Sequence, residues 1–106
     1  MKPSIAALFA GCLSVVMALP CTAYALGKTE TQDLMVQCAA CHGADGIARD
    51  AETPDLAGQH DIYLYNQLKA FTSGKRVHKE MRYMGRHMTD EDMRAIAEYY
   101  SSLPKQ

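Results

Sequence analysis

The chain has 106 residues and a mass of 11.7 kDa, with 11 Lys and Arg against 12 Asp and Glu, which is room for one small domain and not two. A formal charge of −1 and a pI near 6.4 exclude the uniformly basic footprint of a nucleic-acid binder. With 48% apolar and 22% charged residues, global disorder is excluded as well.

Met1 to Leu19 carries one charged side chain, Lys2, followed by two apolar runs, Ile5 to Phe9 and Val15 to Leu19, and then Pro20 and Ala23-Tyr24-Ala25. A basic start, an apolar stretch and an A-x-A ending predict a secretory signal peptide cleaved after Ala25. The expected organisation is therefore residues 1–25 as signal and 26–106 as the folded, exported domain. Gly11, Cys12 and Ser14 interrupt the apolar run short of the length a membrane span requires, so no stable insertion is expected after cleavage. Cleavage removes Cys12 and Cys21 and leaves Cys38 and Cys41, too few for a disulfide framework even where export permits one. A chain of about 80 residues without such a framework is marginal unless something else fills its core. A large bound cofactor would do so.

Residues 26–106 read as all-α. Val, Ile and Thr are few and nowhere alternate with polar residues over a strand's length. Thr29-Glu30-Thr31-Gln32 resembles a capping box and predicts a short helix on which Leu34, Cys38 and Cys41 share a face. Gly43, Gly46, Pro54 and Gly58 make residues 43–60 a loop. Asp61 is expected to cap a second helix with Leu64, Leu68 and Phe71 on its apolar face, ended by Gly74. Thr89, followed by Asp90, Glu91 and Asp92, opens a third, with Met93, Ile96, Ala97 and Tyr100 as its buried stripe and Pro104 beyond its end.

Cys38-Ala39-Ala40-Cys41-His42 carries the chemistry. Two thiols three residues apart on a helical turn point the same way and can each add to one vinyl group of a haem, while the adjacent imidazole of His42 is placed for the iron. Three other readings compete. A thioredoxin-like redox pair needs a βαβ context that the composition lacks. Zinc needs four ligands, and His60, His78 and His87 form no H-x₃₋₅-H pair. A plain disulfide leaves His42 without purpose. Haem would also supply the missing core.

With these residues in place the sequence resembles a class I cytochrome c, the small monohaem His/Met family. The attachment run extends to Gly43. Pro54-Asp55-Leu56-Ala57-Gly58 is similar to the P-x-L-x-G segment that follows it, the stretch from Tyr63 to Phe71 with Gly74 and Arg76 to the family's central helix, and Met88 to Tyr100 to its last helix. One haem unit of the dihaem periplasmic cytochromes c is the nearest likeness, although only one C-x-x-C-H is present. The resemblance implies three main helices and loops wrapped round one covalently bound haem c. It also implies that the Pro54 carbonyl accepts the free ring N–H of His42, and that a thioether seven residues before Met88 is the second axial ligand. That residue is Met81, with Met84 next and His78 or His87 as nitrogen alternatives. Lys79-Glu80 and Arg82-Tyr83 depart from the family's small, apolar run around this methionine.

The function so implied is one-electron carriage in the periplasm between larger redox proteins, with no enzymatic activity of its own. A haem enzyme or gas sensor with an open sixth position, or a dedicated cytochrome subunit of one oxidoreductase, are the alternatives. Asn66, Gln59 and Arg76 are candidates to reach a propionate, Arg being best suited to a carboxylate. Lys75, Arg76, Lys79, Arg82 and Arg86 stand against Glu80 alone, whereas Thr29 to Asp61 holds seven carboxylates against Arg49. The basic stretch Lys75 to Arg86 is the expected docking surface for an acidic partner.

Overall fold

The computed structural model describes residues 23–106, and the expected signal sequence up to Thr22 lies outside the described residues. Four helices follow one another among the described residues: α1 (Ala23–His42), α2 (Asp61–Ser73), α3 (Lys79–Arg86) and α4 (Asp90–Ser102). No strand occurs among the described residues, so the all-α expectation holds.

Two boundaries and one element differ from expectation. α1 opens at Ala23 and runs without a break through Ala25 and Leu26, so Thr29 is not its cap. Extending an existing helix costs far less than nucleating one, and the local capping signal at Thr29 loses to that. The Thr31 hydroxyl instead donates to Asp92 Oδ1 of α4 at 2.6 Å. In α2 the N-cap position falls to His60, without a side-chain bond, and Asp61 occupies the first turn. The third difference is α3 itself, a helix beyond the three main ones expected, in the polar stretch around Met81. Its N-cap is His78, whose Nδ1 accepts from the Met81 N–H at 3.4 Å.

α4 begins as expected. The Thr89 hydroxyl accepts from the Asp92 N–H at 3.1 Å, and the Asp92 carboxylate accepts from the Thr89 N–H at 2.9 Å, a complete capping box. Burial works against the Asp92 carboxylate, but its bonds from Thr31 and Thr89 outweigh that and hold it below the usual range.

α4 packs on α2 and on the C-terminal part of α1, and α3 closes against α2. Leu34, Leu64, Leu68, Met93, Ile96, Ala97 and Tyr100 form the core cluster, taken from the three faces that periodicity selects. Tyr100, at 1% exposure, is its most enclosed side chain. The loop between α1 and α2 is fastened to α4 at two points: Gly58 N–H donates to the Tyr100 carbonyl at 2.9 Å, and the Tyr99 hydroxyl donates to the Ala44 carbonyl at 3.0 Å. Those ties hold the segment from Gly43 to Gly58 beside the last turn of α1.

Candidate haem-attachment site

The C-x-x-C-H run is the last turn and a half of α1. That helix stops at His42 because Gly43 takes φ +82, a left-handed conformation, and a Cβ there would strike the Ile47 carbonyl. Gly43 N–H still reaches the Ala39 carbonyl at 2.9 Å and closes the final turn. Cys38 is half-buried against the core cluster and Cys41 is exposed, and the two thiols are not joined. Burial pushes the Cys38 thiol up to about 11. Burial likewise raises the Tyr100 hydroxyl, with Cys38 as the next contributor, so the two side chains face one environment.

His42 is buried, and its Nδ1 lies 2.8 Å from the Pro54 carbonyl oxygen. A carbonyl can only accept, so Nδ1 carries the proton and Nε2 keeps its lone pair. The loop aims that carbonyl through its own backbone. Leu56 and Ala57 N–H both donate to the Gly46 carbonyl, at 2.8 and 3.0 Å, and Glu52 and Thr53 N–H donate to Asp50 Oδ1 at 3.0 and 2.8 Å. Ile47 and Ala48 N–H go to Asp45 and Asp55. The Thr53 backbone bond holds Asp50 below the ordinary carboxylate range, as the Ile47 bond does Asp45. Three carboxylates of the acidic stretch thus have structural work in this loop, which their spacing alone does not disclose.

Met81 and Met84 on α3, and Met88 after it, are half-buried and pack on the same core cluster that Cys38 borders. The nitrogen alternatives, unlike the three methionines, are both exposed. His78 caps α3, and His87 Nδ1 donates to the Tyr83 carbonyl at 2.7 Å with its ring 4.5 Å from that of Tyr83. Arg76 donates to Gln67 Oε1 at 2.8 Å with its guanidinium 4.6 Å above the Phe71 ring, and Gln59 Oε1 accepts from His60 N–H.

Two thiols on one turn are placed for the haem vinyl groups, and an imidazole with its tautomer set from behind and thioethers at the apolar border make a soft, neutral donor set. It suits haem iron and not a hard cation. Among the described residues no three His, Cys, Asp or Glu side chains come together as a metal cage, which removes the zinc reading. The absence of strand among those residues removes the thioredoxin context.

Fold and site together define a small all-helical protein of c-type haem. The chain belongs to the cytochrome c family, whose model matches residues 25–104. It is 42% identical over 65 residues to a cytochrome c4 of Pseudomonas aeruginosa, covering 61% of this chain and 32% of that one. To cytochrome c-554(548) of Halomonas halodenitrificans it is 39% identical over 74 residues, covering 67% of this chain and 89% of the other. Among solved structures, a thiosulfate dehydrogenase from Marichromatium purpuratum superposes with a TM-score of 0.63 at 31% identity, over 72% of this chain and 18% of that one. The chain thus spans about a third of the cytochrome c4 and most of the single-domain relative. As a class I cytochrome c, it binds haem c covalently through the pair Cys38 and Cys41.

Proposed function

We propose that the chain is a periplasmic one-electron carrier with a single haem c, His42 and Met81 as its axial ligands, and residues 1–25 as a cleaved export signal. The contact between His42 Nδ1 and the Pro54 carbonyl carries this reading, because it leaves Nε2 unprotonated and oriented. When bound, the haem supplies one-electron exchange between ferric and ferrous iron. Pro54 fixes the ring plane of His42 and raises its basicity. Met81 offers a neutral sulfur that favours the ferrous state and so a higher potential. With a side chain for each axial position the protein keeps none open for a substrate, which supports a carrier over a haem enzyme or gas sensor.

Larger redox proteins are the expected donor and acceptor, and the cationic stretch from Lys75 to Arg86 supports an acidic partner, whose approach it would steer most strongly at low salt. The fold shared with a thiosulfate dehydrogenase supports a second reading, a dedicated cytochrome subunit of one dehydrogenase. Stable co-purification with a larger chain distinguishes it.

The ligand assignment is tested by Met81→Ala and Met84→Ala. Met81→Ala is expected to lose the long-wavelength sulfur-to-ferric-iron absorption, lower the midpoint potential and admit carbon monoxide, while Met84→Ala keeps all three properties. Loss of the band in the Met84 variant alone moves the role to Met84. The intact mass of the exported protein, expected to begin at Leu26 and to include one haem, tests the processing.

A further inference from the structure

Helical spacing divides the eight residues of α3 into two faces. Met81, Met84 and Gly85 turn inward, whereas Lys79, Arg82, Tyr83 and Arg86, at i, i+3, i+4 and i+7, share the outer face. With Arg76 and Val77 of the preceding connection they wall a groove of about 470 Å3. Glu80, the one carboxylate between Lys75 and Arg86, does not line it.

Three features distinguish this groove from ordinary solvated surface. Its four cations form no ion pair among the described residues, whereas Arg94 and Lys69 share Asp90 and Arg49 meets Asp45. Lys79, Arg82 and Arg86 also repel one another at i,i+3 and i,i+4 spacing along a helix of only two turns, a cost that an anionic occupant removes. Arg76 is held ready, with its backbone N–H on the Ala70 carbonyl at 3.0 Å and its side chain on Gln67 and Phe71. Finally, two apolar side chains stand open among the cations, Val77 at 91% exposure and Tyr83 at 62%. Charge alone needs neither, and Tyr and Arg together are the residue types that anchor protein interfaces.

We propose that this groove docks an acidic segment of a partner protein that bears an aliphatic or aromatic side chain. That side chain is seated between Val77 and Tyr83, and its flanking carboxylates are paired with Arg76, Lys79, Arg82 and Arg86. The inference deepens the carrier reading and rests on it for the partner being a redox protein. A lipid surface fits less well. The apolar face of α3 is spent on the core, and two side chains are too few to insert into a bilayer interface.

The test uses the isotope-labelled holoprotein and two short synthetic peptides of equal charge, one alternating Glu with Leu and one alternating Glu with Ser. The Glu–Leu peptide is expected to bind about tenfold more tightly, the range for one well-seated apolar anchor, with amide shifts centred on Val77, Arg82 and Tyr83. Substituting Val77→Ser with Tyr83→Ser, both on the exposed surface, should abolish the difference between peptides and leave a weaker, salt-sensitive affinity. Lys79→Glu with Arg82→Glu should remove binding of both. Equal affinity of the two peptides overturns the proposal, as do shifts centred elsewhere, or a response of Tyr83 to phosphatidylglycerol vesicles without one to the Glu–Leu peptide. The oxidised and reduced spectra of the same sample report the haem ligation independently. A failed ligand assignment and a failed docking assignment are therefore read separately.

Discussion

Asp90 shows how much one side chain outside the core holds together. It accepts from the Tyr65 hydroxyl, from Arg94 Nε at 2.9 Å and from Lys69 Nζ at 3.3 Å, while the Arg94 guanidinium lies 4.3 Å over the Tyr65 ring. The Tyr65 hydroxyl above all, then the Arg94 and Lys69 heads, hold the Asp90 carboxyl down at about 2. A folded-state value below the ordinary 3.8 means that this stabilisation is complete above about pH 4 and is lost as pH falls through about 2. Asp90→Asn should therefore be less stable than the parent at neutral pH, and the gap should close between pH 4 and pH 2. Denaturant titrations across that range check it, and a gap of constant size would show that the hydrogen bonds do not depend on the charge. Tyr65 lies at helical spacing in the sequence, which by itself points to packing, and the ring does pack. Its hydroxyl meets a residue 25 positions away, and no local pattern announces such a pairing. The contact from His42 to Pro54 was foreseeable only through family likeness, for the same reason.

At the scale of elements, the apolar faces of α2 and α4 and the capping box of α4 were legible because each depends on neighbours within one or two turns. α3 was missed although Met81, Met84, Gly85 and Met88 recur at i, i+3, i+4 and i+7. Its cap is an imidazole nitrogen, outside the usual capping types, and its outer face is so highly charged that the stretch resembles a loop. What holds α3 is a close approach to α2. Gly85 is buried, and a Cβ added there would run into Thr72 Oγ1 and stand 3.4 Å from Thr72 Cβ. Alanine normally gains up to ~1 kcal/mol over glycine inside a helix, whereas overpacking at a tight contact costs ~1–3 kcal/mol. Gly85→Ala is therefore expected to destabilise the parent by up to ~2 kcal/mol, the overpacking cost less the helix gain. In a Thr72→Ala background, where the hydroxyl gives up only its bond to the Leu68 carbonyl of its own helix, the same change should become stabilising. A double-mutant cycle by chemical denaturation reads the sign. Destabilisation of equal size in both backgrounds would mean that the helices do not meet at Gly85.

For the whole molecule the question is what completes the core. The buried cluster is small, and Met35, Cys38, Leu56, Met81, Met84 and Leu103 border it while only half withdrawn from water. Cys38 and Cys41 are committed to the haem and not to each other, so no disulfide among the described residues limits the unfolded state. A domain of about 80 residues in this condition has little margin. Covalent haem is an apolar body able to cover such a border, and it cannot dissociate. A chain with Cys38→Ala and Cys41→Ala, purified free of haem, should leave those side chains half-solvated at a loss of ~1 kcal/mol or more each. Each kcal/mol lowers the midpoint of thermal unfolding by ~4–8 °C in a domain of this size. The midpoint is therefore expected to fall by ~20 °C or more, or the transition to lose its cooperativity altogether, with helical circular dichroism retained only in part. A single Cys38→Ala variant, which keeps one attachment point, should fall between the two. If the haem-free double variant unfolds as sharply as the holoprotein and at the same temperature, the four helices carry the fold unaided, and the haem is bound by a finished scaffold instead of completing it.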